Sequence, residues 1–103
     1  MKVVINKCYG GFGLSKAAVD LYAELKDMDP GRYNKQGNFY ENINEYDISR
    51  DDPVLVQVVE SLGDLANDIY AELKVVEIPD GVNWSIEEYD GREWIAEVHR
   101  TWS

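Results

Sequence analysis

The feature that most constrains this chain is a stretch near its C-terminal end in which apolar and polar residues alternate on both sides of a turn. Alternation with a period of two is typical of half-buried β-strands. Residues 89–91, with sequence Tyr-Asp-Gly, are typical of the tight turn that joins two such strands. The sequence therefore predicts a β-hairpin over 82–98. Its apolar positions are Val82, Trp84, Ile86, Trp94, Ala96 and Val98.

The register of this hairpin depends on the length of the turn. A two-residue turn at Asp90 and Gly91 would place Trp84 opposite Glu97. A three-residue loop at 89–91 would place Trp84 opposite Ala96 and gather the apolar positions onto one face. We predict the three-residue loop, because it keeps every core candidate together and puts Gly91 where a left-handed residue is needed. The predicted pairs are Ile86 with Trp94, Trp84 with Ala96 and Val82 with Val98.

Two amphipathic segments predict helices. The first begins at Ser15, a favourable N-cap, and ends before Pro30. The second begins at Asp52, has Pro53 at its first position, where the missing N–H is tolerated, and ends at Gly63. The predicted buried stripes are Leu14, Ala18, Leu21, Tyr22 and Leu25 in the first helix, and Leu55, Val58, Val59 and Leu62 in the second.

Two further apolar runs, at 2–8 and 73–78, predict strands because they are rich in β-branched residues. Residues 29–50 show no regular period and predict a long loop with a short strand near 45–48. The aromatic residues of this loop either line a binding surface or anchor the loop to the core: Tyr33, Phe39, Tyr40 and Tyr46. We therefore predict a single α+β domain over 1–103, of order β-α-α-β-β-β. Two helices pack on one face of a small, largely antiparallel sheet of about four strands. An edge strand of such a sheet can pair with a second copy, so a homodimer stays open.

The formal net charge of −10 narrows the classes of partner. Twenty acidic residues against ten basic ones disfavour direct binding of nucleic acid or of an anionic membrane surface. No apolar run approaches the roughly 20 residues that cross a bilayer, and no signal-peptide segment is evident, so we expect a cytoplasmic protein. The acidic surface either keeps the chain soluble or engages a basic groove on another protein.

Residues with catalytic or metal-binding chemistry are sparse. Cys8 and His99 are the single cysteine and histidine, too few for a zinc site, and we predict neither a metal nor a cofactor. Cys8 would need a base such as His99 beside it to act as a nucleophile, and otherwise is a small buried thiol. Adjacent acids such as those at 51–52 and 87–88 lack the neighbouring groups that define a reaction, so an enzyme is the less favoured interpretation.

The clearest candidate for a ligand site is the glycine-rich segment that joins the first strand to the first helix. Backbone N–H groups in such a segment can bind phosphate, and Arg50 or Arg100 could add charge. The spacing matches neither the P-loop nor the dinucleotide fingerprint. The alternatives are that the segment is only a tight strand–helix connection and that the arginines form internal salt bridges. The predicted ligand-binding residues are Lys7, Gly10, Gly11, Gly13, Ser15, Arg50, Arg100 and Trp102.

Three segments together resemble a family of small, uncharacterised proteins encoded by tailed bacteriophages. They are INKCYGGFGLS near the N-terminus, DPVLVQVVESLG in the middle, and LKVVEIPDGVNWSIEEYDGREWIAEVHRTW at the end. The loop at 29–50 lies outside the resemblance, which implies that it varies. The resemblance implies a phage accessory protein in the cytoplasm of the bacterial host. It carries over no activity and no catalytic residues to this chain. Small proteins of this kind often neutralise a host component, including host immune proteins or their nucleotide signals.

These observations give two hypotheses for function. The first is a non-catalytic protein that sequesters a small phosphorylated or nucleotide-type host signal in the segment Gly10–Ser15, to counter host defence. The second is an acidic protein–protein inhibitor of a host defence protein, which mimics nucleic acid and uses the loop at 29–50. The first hypothesis requires unbonded amides at the start of the first helix, with a cationic side chain beside them.

Overall fold

A computed structural model describes residues 1–34 and 39–97 of the chain. The fold is α+β, as predicted, and every strand pair within these ranges is antiparallel. No helix in this part of the chain is long and apolar enough to span a membrane. The strands are β1 (Lys2–Asn6), β2 (Tyr33–Asn34), β3 (Phe39–Tyr40), β4 (Leu73–Glu77), β5 (Trp84–Tyr89) and β6 (Arg92–Glu97), and the helices are α1 (Lys16–Leu25) and α2 (Pro53–Leu62).

Both helices begin at the predicted capping residues. The Ser15 hydroxyl accepts the Ala18 N–H at 3.1 Å and so caps α1. The Asp52 carboxylate accepts the Val54 N–H at 2.8 Å and so caps α2, which ends at Gly63 as expected. Side-chain acceptors at these positions satisfy amides that have no partner inside the helix, which explains why the local sequence located the helix starts correctly.

The ladder formed by β1 and β4 lies at the centre of the fold and buries different partners on its two faces. On one face, Val4 packs against the core of α1 and α2, which includes the fully buried Leu55. On the other face, Val3 and Ile5 pack against the hairpin of β5 and β6, where Ile95 contacts them. The helices therefore cover one face of the ladder, as predicted, and the hairpin covers the other.

The predicted strands form two separate ladders, β1–β4 and β5–β6, because other groups occupy the second edge of β1. The Val4 N–H donates to the Arg50 carbonyl at 2.9 Å. The Asn6 N–H donates to Glu93 Oε1 at 2.8 Å. A loop carbonyl and a carboxylate thus bond the amides that a neighbouring strand would have bonded.

Asn6, at the end of β1, is fully buried and joins three segments of the chain. Its side-chain Nδ2 donates to the carbonyls of Cys8, at 2.7 Å, and Gly91, at 2.8 Å. Its Oδ1 accepts the Glu72 N–H at 2.8 Å, just before β4. These bonds satisfy the buried amide and hold the hairpin turn against the end of the central ladder.

The hairpin has the two-residue turn, and the predicted three-residue loop was wrong. Trp84 lies opposite Glu97 around a turn at Asp90 and Gly91. The φ angles of 53° at Asp90 and 91° at Gly91 are the two positive values of a type I′ turn. This turn type matches the twist of the flanking strands, and that backbone preference outweighed the apolar pattern on which the prediction depended. The predicted partner of Val82, Val98, lies outside the described residues.

The observed register decides which hairpin side chains face the core. Ile86 lies opposite Ile95 on the inner face, and both contact the central ladder. Trp94, predicted to lie inside, is 46% exposed on the outer face. Glu93 instead points inward and reaches Arg50. The difference of one residue in register therefore places the Glu93 carboxylate on the inner face, where the prediction had placed Trp94.

In the segment at 29–50, residues 29–34 and 39–50 are described and form short elements. The antiparallel pair β2–β3 brings Tyr33 opposite Tyr40. A 3₁₀ turn at Glu45–Asp47 occupies the position where a short strand was predicted, and that prediction was wrong. Asn44 Oδ1 accepts the Tyr46 N–H at 3.0 Å, a local side-chain bond that favours a turn over a strand.

We expect Gly91→Ala to lower the free energy of unfolding by more than about 2 kcal/mol. A Cβ at this position would lie 2.6 Å from both the Gly11 nitrogen and the Tyr9 carbonyl oxygen, besides the strain of a positive φ. Urea unfolding followed by tryptophan fluorescence measures the loss. Gly81→Ala is the matched control, because its φ of 78° is also positive but no atom lies within 4 Å of the new Cβ. Equal losses in unfolding free energy in the two variants would contradict the contact between the hairpin turn at Gly91 and the segment at Tyr9 and Gly11.

Candidate functional site

The predicted ligand segment Gly10–Ser15 is a closely packed connection between β1 and α1. A Cβ added to Gly10 would lie 1.9 Å from the Tyr70 carbonyl oxygen. A Cβ added to Gly13 would lie 2.9 Å from the Asp68 Cβ. Both positions therefore need glycine because residues 68–70 pass directly against the segment.

Three amides at the start of α1, those of Leu14, Ser15 and Ala18, are bonded within the protein. The Leu14 N–H donates to Glu45 Oε2 at 2.8 Å, and the Ser15 N–H donates to the Ala66 carbonyl at 2.9 Å. The Ser15 hydroxyl donates to the Leu65 carbonyl at 2.6 Å. A helix start favours a negative charge, and here the chain supplies that charge through Glu45.

Arg50 lies beside the glycine segment, as expected, but its guanidinium is already paired. Its Cζ is 3.6 Å from the centroid of the Phe12 ring. Its Nη1 and Nη2 donate to the two carboxylate oxygens of Glu93 at 2.6 and 2.8 Å. The side chains of Arg50 and Glu93 are 19% and 9% exposed, so this is a largely buried, bidentate ion pair. The internal salt bridge that the sequence left open is the observed arrangement.

The remaining predicted site residues do not converge on the segment within the described structure. Lys7 is exposed, and its backbone N–H donates to the Glu72 carbonyl at 2.8 Å. The Cys8 thiol donates to the Tyr70 carbonyl at 2.8 Å. Arg100, Trp102 and His99 lie outside the described residues, so their predicted roles stay predictions. Within residues 1–34 and 39–97, no cluster of metal-ligating side chains is present.

A second candidate site includes the start of α1. It is a groove of about 790 Å³ between α1, the segment at 29–50 and residues 68–70. We call it the tyrosine groove, because its lining includes Tyr33, Tyr40, Tyr46 and Tyr70. The same lining carries the carboxylates of Glu41, Glu45 and Asp68.

One cation, Lys16, contributes to the described lining of the tyrosine groove. Its Nζ lies 5.6 Å from the ring centroids of both Tyr33 and Tyr40, whose centroids are 5.0 Å apart. Its Nζ also lies 2.9 Å from Asp20 Oδ2, and the Tyr40 hydroxyl donates to the same carboxylate. Hydrogen bonds to Tyr40 and Asp20 raise the pKa of Lys16 above its ordinary value. The charge of Lys16 is therefore matched by Asp20 and does not neutralise the other acids.

The three groove carboxylates are held in place by backbone amides. Each accepts one N–H: Glu41 from Arg32 at 3.1 Å, Glu45 from Leu14 at 2.8 Å, and Asp68 from Ile69 at 2.8 Å. Burial raises the pKa of Glu45, and the charge of Asp68 raises it further, although the Leu14 N–H opposes both effects. The groove therefore holds three carboxylates, of which Glu45 and Asp68 interact, and Lys16 is the one positively charged side chain in its described lining.

Exposed apolar side chains surround this charge. Tyr46, Ile69 and Tyr70 are 72%, 82% and 68% exposed. The sequence indicated the tyrosines of 29–50 either as a binding surface or as anchors, and the structure divides them: Tyr40 is buried and Tyr46 is exposed. Ile69 and Tyr70 were missed, because an isolated apolar pair beside a turn has no periodic signal.

Comparison of the chain with protein-family models, with curated proteins and with solved structures gave no match. The resemblance to small bacteriophage proteins therefore stays a prediction from the residues. Function is therefore inferred from the charge of the chain and from the geometry of the tyrosine groove.

Replacing Glu93 by Gln should lower the free energy of unfolding by about 3 kcal/mol, because Arg50 would keep a largely buried charge without its anion. Chemical denaturation measures this loss. Glu60→Gln is the matched control, since it breaks an exposed ion pair with Lys2 and should leave the unfolding midpoint nearly unchanged. Comparable midpoints in the two variants would contradict the structural role of the Arg50–Glu93 pair.

Inorganic phosphate and a panel of nucleotides should leave the melting temperature unchanged. The amides of Leu14, Ser15 and Ala18 are already bonded, and Arg50 is paired with Glu93. A ligand at about one hundred times its dissociation constant would add about 2.7 kcal/mol of stability, which thermal-shift measurement detects readily. A reproducible rise with any one nucleotide would show that these internal bonds exchange for phosphate.

Proposed function

We propose that this protein is a non-catalytic binding protein that uses acidic surface to engage a basic surface on another protein. The observation that carries the proposal is the uncompensated charge of the tyrosine groove. Glu41, Glu45 and Asp68 line it together with exposed aromatic rings, whereas the charge of Lys16 is matched by Asp20. The net charge of −10 gives the whole molecule the same preference for a cationic partner.

Sequestration of a small phosphorylated ligand, the other function predicted from the sequence, has less support from the geometry. A phosphate at the start of α1 would lie against the carboxylates of Glu45 and Asp68, which would repel it. It would also have to displace Glu45 from the Leu14 amide and Glu93 from Arg50. These exchanges oppose binding, so we favour a cationic protein partner over an anionic small molecule.

A catalytic role has little to support it. The Cys8 thiol donates its proton to a backbone carbonyl, an arrangement that does not activate sulfur as a nucleophile. The described carboxylates of the groove bond backbone amides, which positions them for electrostatic recognition. Binding is therefore the simpler use of these groups.

The resemblance to bacteriophage proteins suggests the setting in which such a partner is found. Host defence proteins that act on nucleic acid present basic grooves, and phosphate backbones bind there through lysine and arginine. A small domain with excess carboxylates can occupy the same groove through the same contacts. We therefore propose an inhibitor that competes with nucleic acid for a basic surface of a host protein.

Affinity capture at two salt concentrations tests this function. The immobilised protein is incubated with bacterial lysate at about 50 mM and about 500 mM salt, which shortens the screening length several-fold. Mass spectrometry identifies the retained proteins. We expect proteins with basic surfaces to be retained at the lower concentration and lost at the higher one, because exposed charge pairs are screened.

An unrelated acidic protein of similar net charge, immobilised at the same density, is the control for simple ion exchange. Partners specific to this protein should be absent from the control. Identical sets of retained proteins, or recovery that does not depend on salt, would contradict the proposal.

A further inference from the structure

We infer that the tyrosine groove is the contact surface for a lysine- or arginine-bearing segment of the partner protein, whose cationic side chain lies between Tyr46, Tyr70 and the carboxylates of Glu45 and Asp68. This inference rests on the proposed function and names both the surface and the chemistry of its occupant. It assigns the groove to a polypeptide segment and not to a free small cation.

The groove already contains one example of the recognition that we infer. The Lys16 ammonium lies 5.6 Å from two tyrosine ring centroids and pairs with a carboxylate at 2.9 Å. Aromatic faces and a carboxylate together stabilise an ammonium or guanidinium group. Tyr46 and Tyr70, with Glu45 and Asp68, supply the same types of group in the same groove.

The second set of groups is Tyr46, Tyr70, Glu45 and Asp68. The one cation in the described lining, Lys16, pairs with Asp20 and not with this set. Burial raises the pKa of the Glu45 carboxyl, and repulsion by the charge of Asp68 raises it further. A guest cation would relieve that repulsion. Backbone amides of Leu14 and Ile69 already hold the two carboxylates, so little reorganisation opposes the arrival of a guest.

The surroundings of the groove favour a protein segment as its occupant. Ile69, Tyr70 and Tyr46 expose most of their surface around the carboxylates, and Leu65, in the neighbouring turn, is 72% exposed. Aromatic side chains are enriched in protein interfaces relative to the rest of the surface. A small cation would bury little of this surface, whereas a segment with apolar residues beside its lysine or arginine would cover it.

Fluorescence anisotropy with two labelled peptides tests the inference. One peptide alternates arginine and leucine, and the other carries uncharged citrulline at every arginine position. We expect the arginine peptide to bind the wild-type protein and the citrulline peptide to bind at least about tenfold more weakly, because it lacks the positive charge.

Two double variants of equal net charge separate the groove from the general acidic surface. Glu45→Gln with Asp68→Asn removes two charges from the groove and keeps the side-chain carbonyl acceptors for the Leu14 and Ile69 amides. Glu24→Gln with Glu88→Gln removes two charges from exposed positions outside it. We expect the groove variant to lose at least about tenfold more affinity for the arginine peptide than the control variant.

A second pair of variants tests the aromatic contribution and does not depend on the carboxylates. Tyr46→Ala removes a ring from the groove, and Tyr89→Ala removes a ring that is also 72% exposed but lies on the hairpin. Both are surface truncations, so unfolding midpoints should stay near that of the wild type. Only Tyr46→Ala should weaken binding of the arginine peptide.

The outcomes distinguish this inference from the proposed function. Equal loss in the groove and control variants would overturn the groove as the contact surface while leaving an acidic binding protein in place. Competition by free arginine or spermidine at concentrations similar to the peptide would overturn the polypeptide occupant. Failure of the wild type to bind both the arginine peptide and basic proteins from lysate would overturn the proposed function itself.

Discussion

The structure depends on a buried polar cluster at the end of β1, formed by Asn6, Glu93 and Arg50. Glu93 accepts the Asn6 N–H and N–H groups from the two terminal nitrogens of the Arg50 guanidinium. The Asn6 side-chain amide bonds the backbone at Cys8, Glu72 and Gly91. Buried polar groups that are fully bonded specify one arrangement of the backbone, because any other arrangement would leave charges or amides without partners. The cluster therefore holds the hairpin against the central ladder and closes the second edge of β1.

The same internal pairing decides which charged groups remain for binding a partner. Arg50 and the amide of Leu14 were candidates to bind an anion, and each has an anion of the chain itself, Glu93 and Glu45. Once these pairs form, cationic and donor groups near the glycine segment are used inside the fold, while unmatched carboxylates remain at the surface. Three of the acidic residues thus line the tyrosine groove, beside exposed aromatic rings that suit a cationic guest.

How far the sequence predicted this molecule depends on the range of each interaction. Ser15 and Asp52 were identified correctly as helix caps because their partners lie two or three residues away. The hairpin was found but its register was wrong, because the preference for a type I′ turn at Asp90 and Gly91 outweighed the apolar pattern on which the prediction depended. That error hid the inward position of Glu93. In the groove, Tyr33 and Tyr46 were noticed, whereas Ile69 and Tyr70 join them only through folding.

By itself, the amino-acid sequence determined the α+β class, the starts of both helices and the acidic character of the surface. Composition, periodicity and neighbouring side chains are sufficient for these properties. Only the tertiary structure decided which acid pairs with Arg50, which anion lies at the start of α1, and which carboxylates stay available to a partner. These pairings join residues that lie far apart in the chain. They therefore depend on which groups the packed backbone brings within hydrogen-bonding distance.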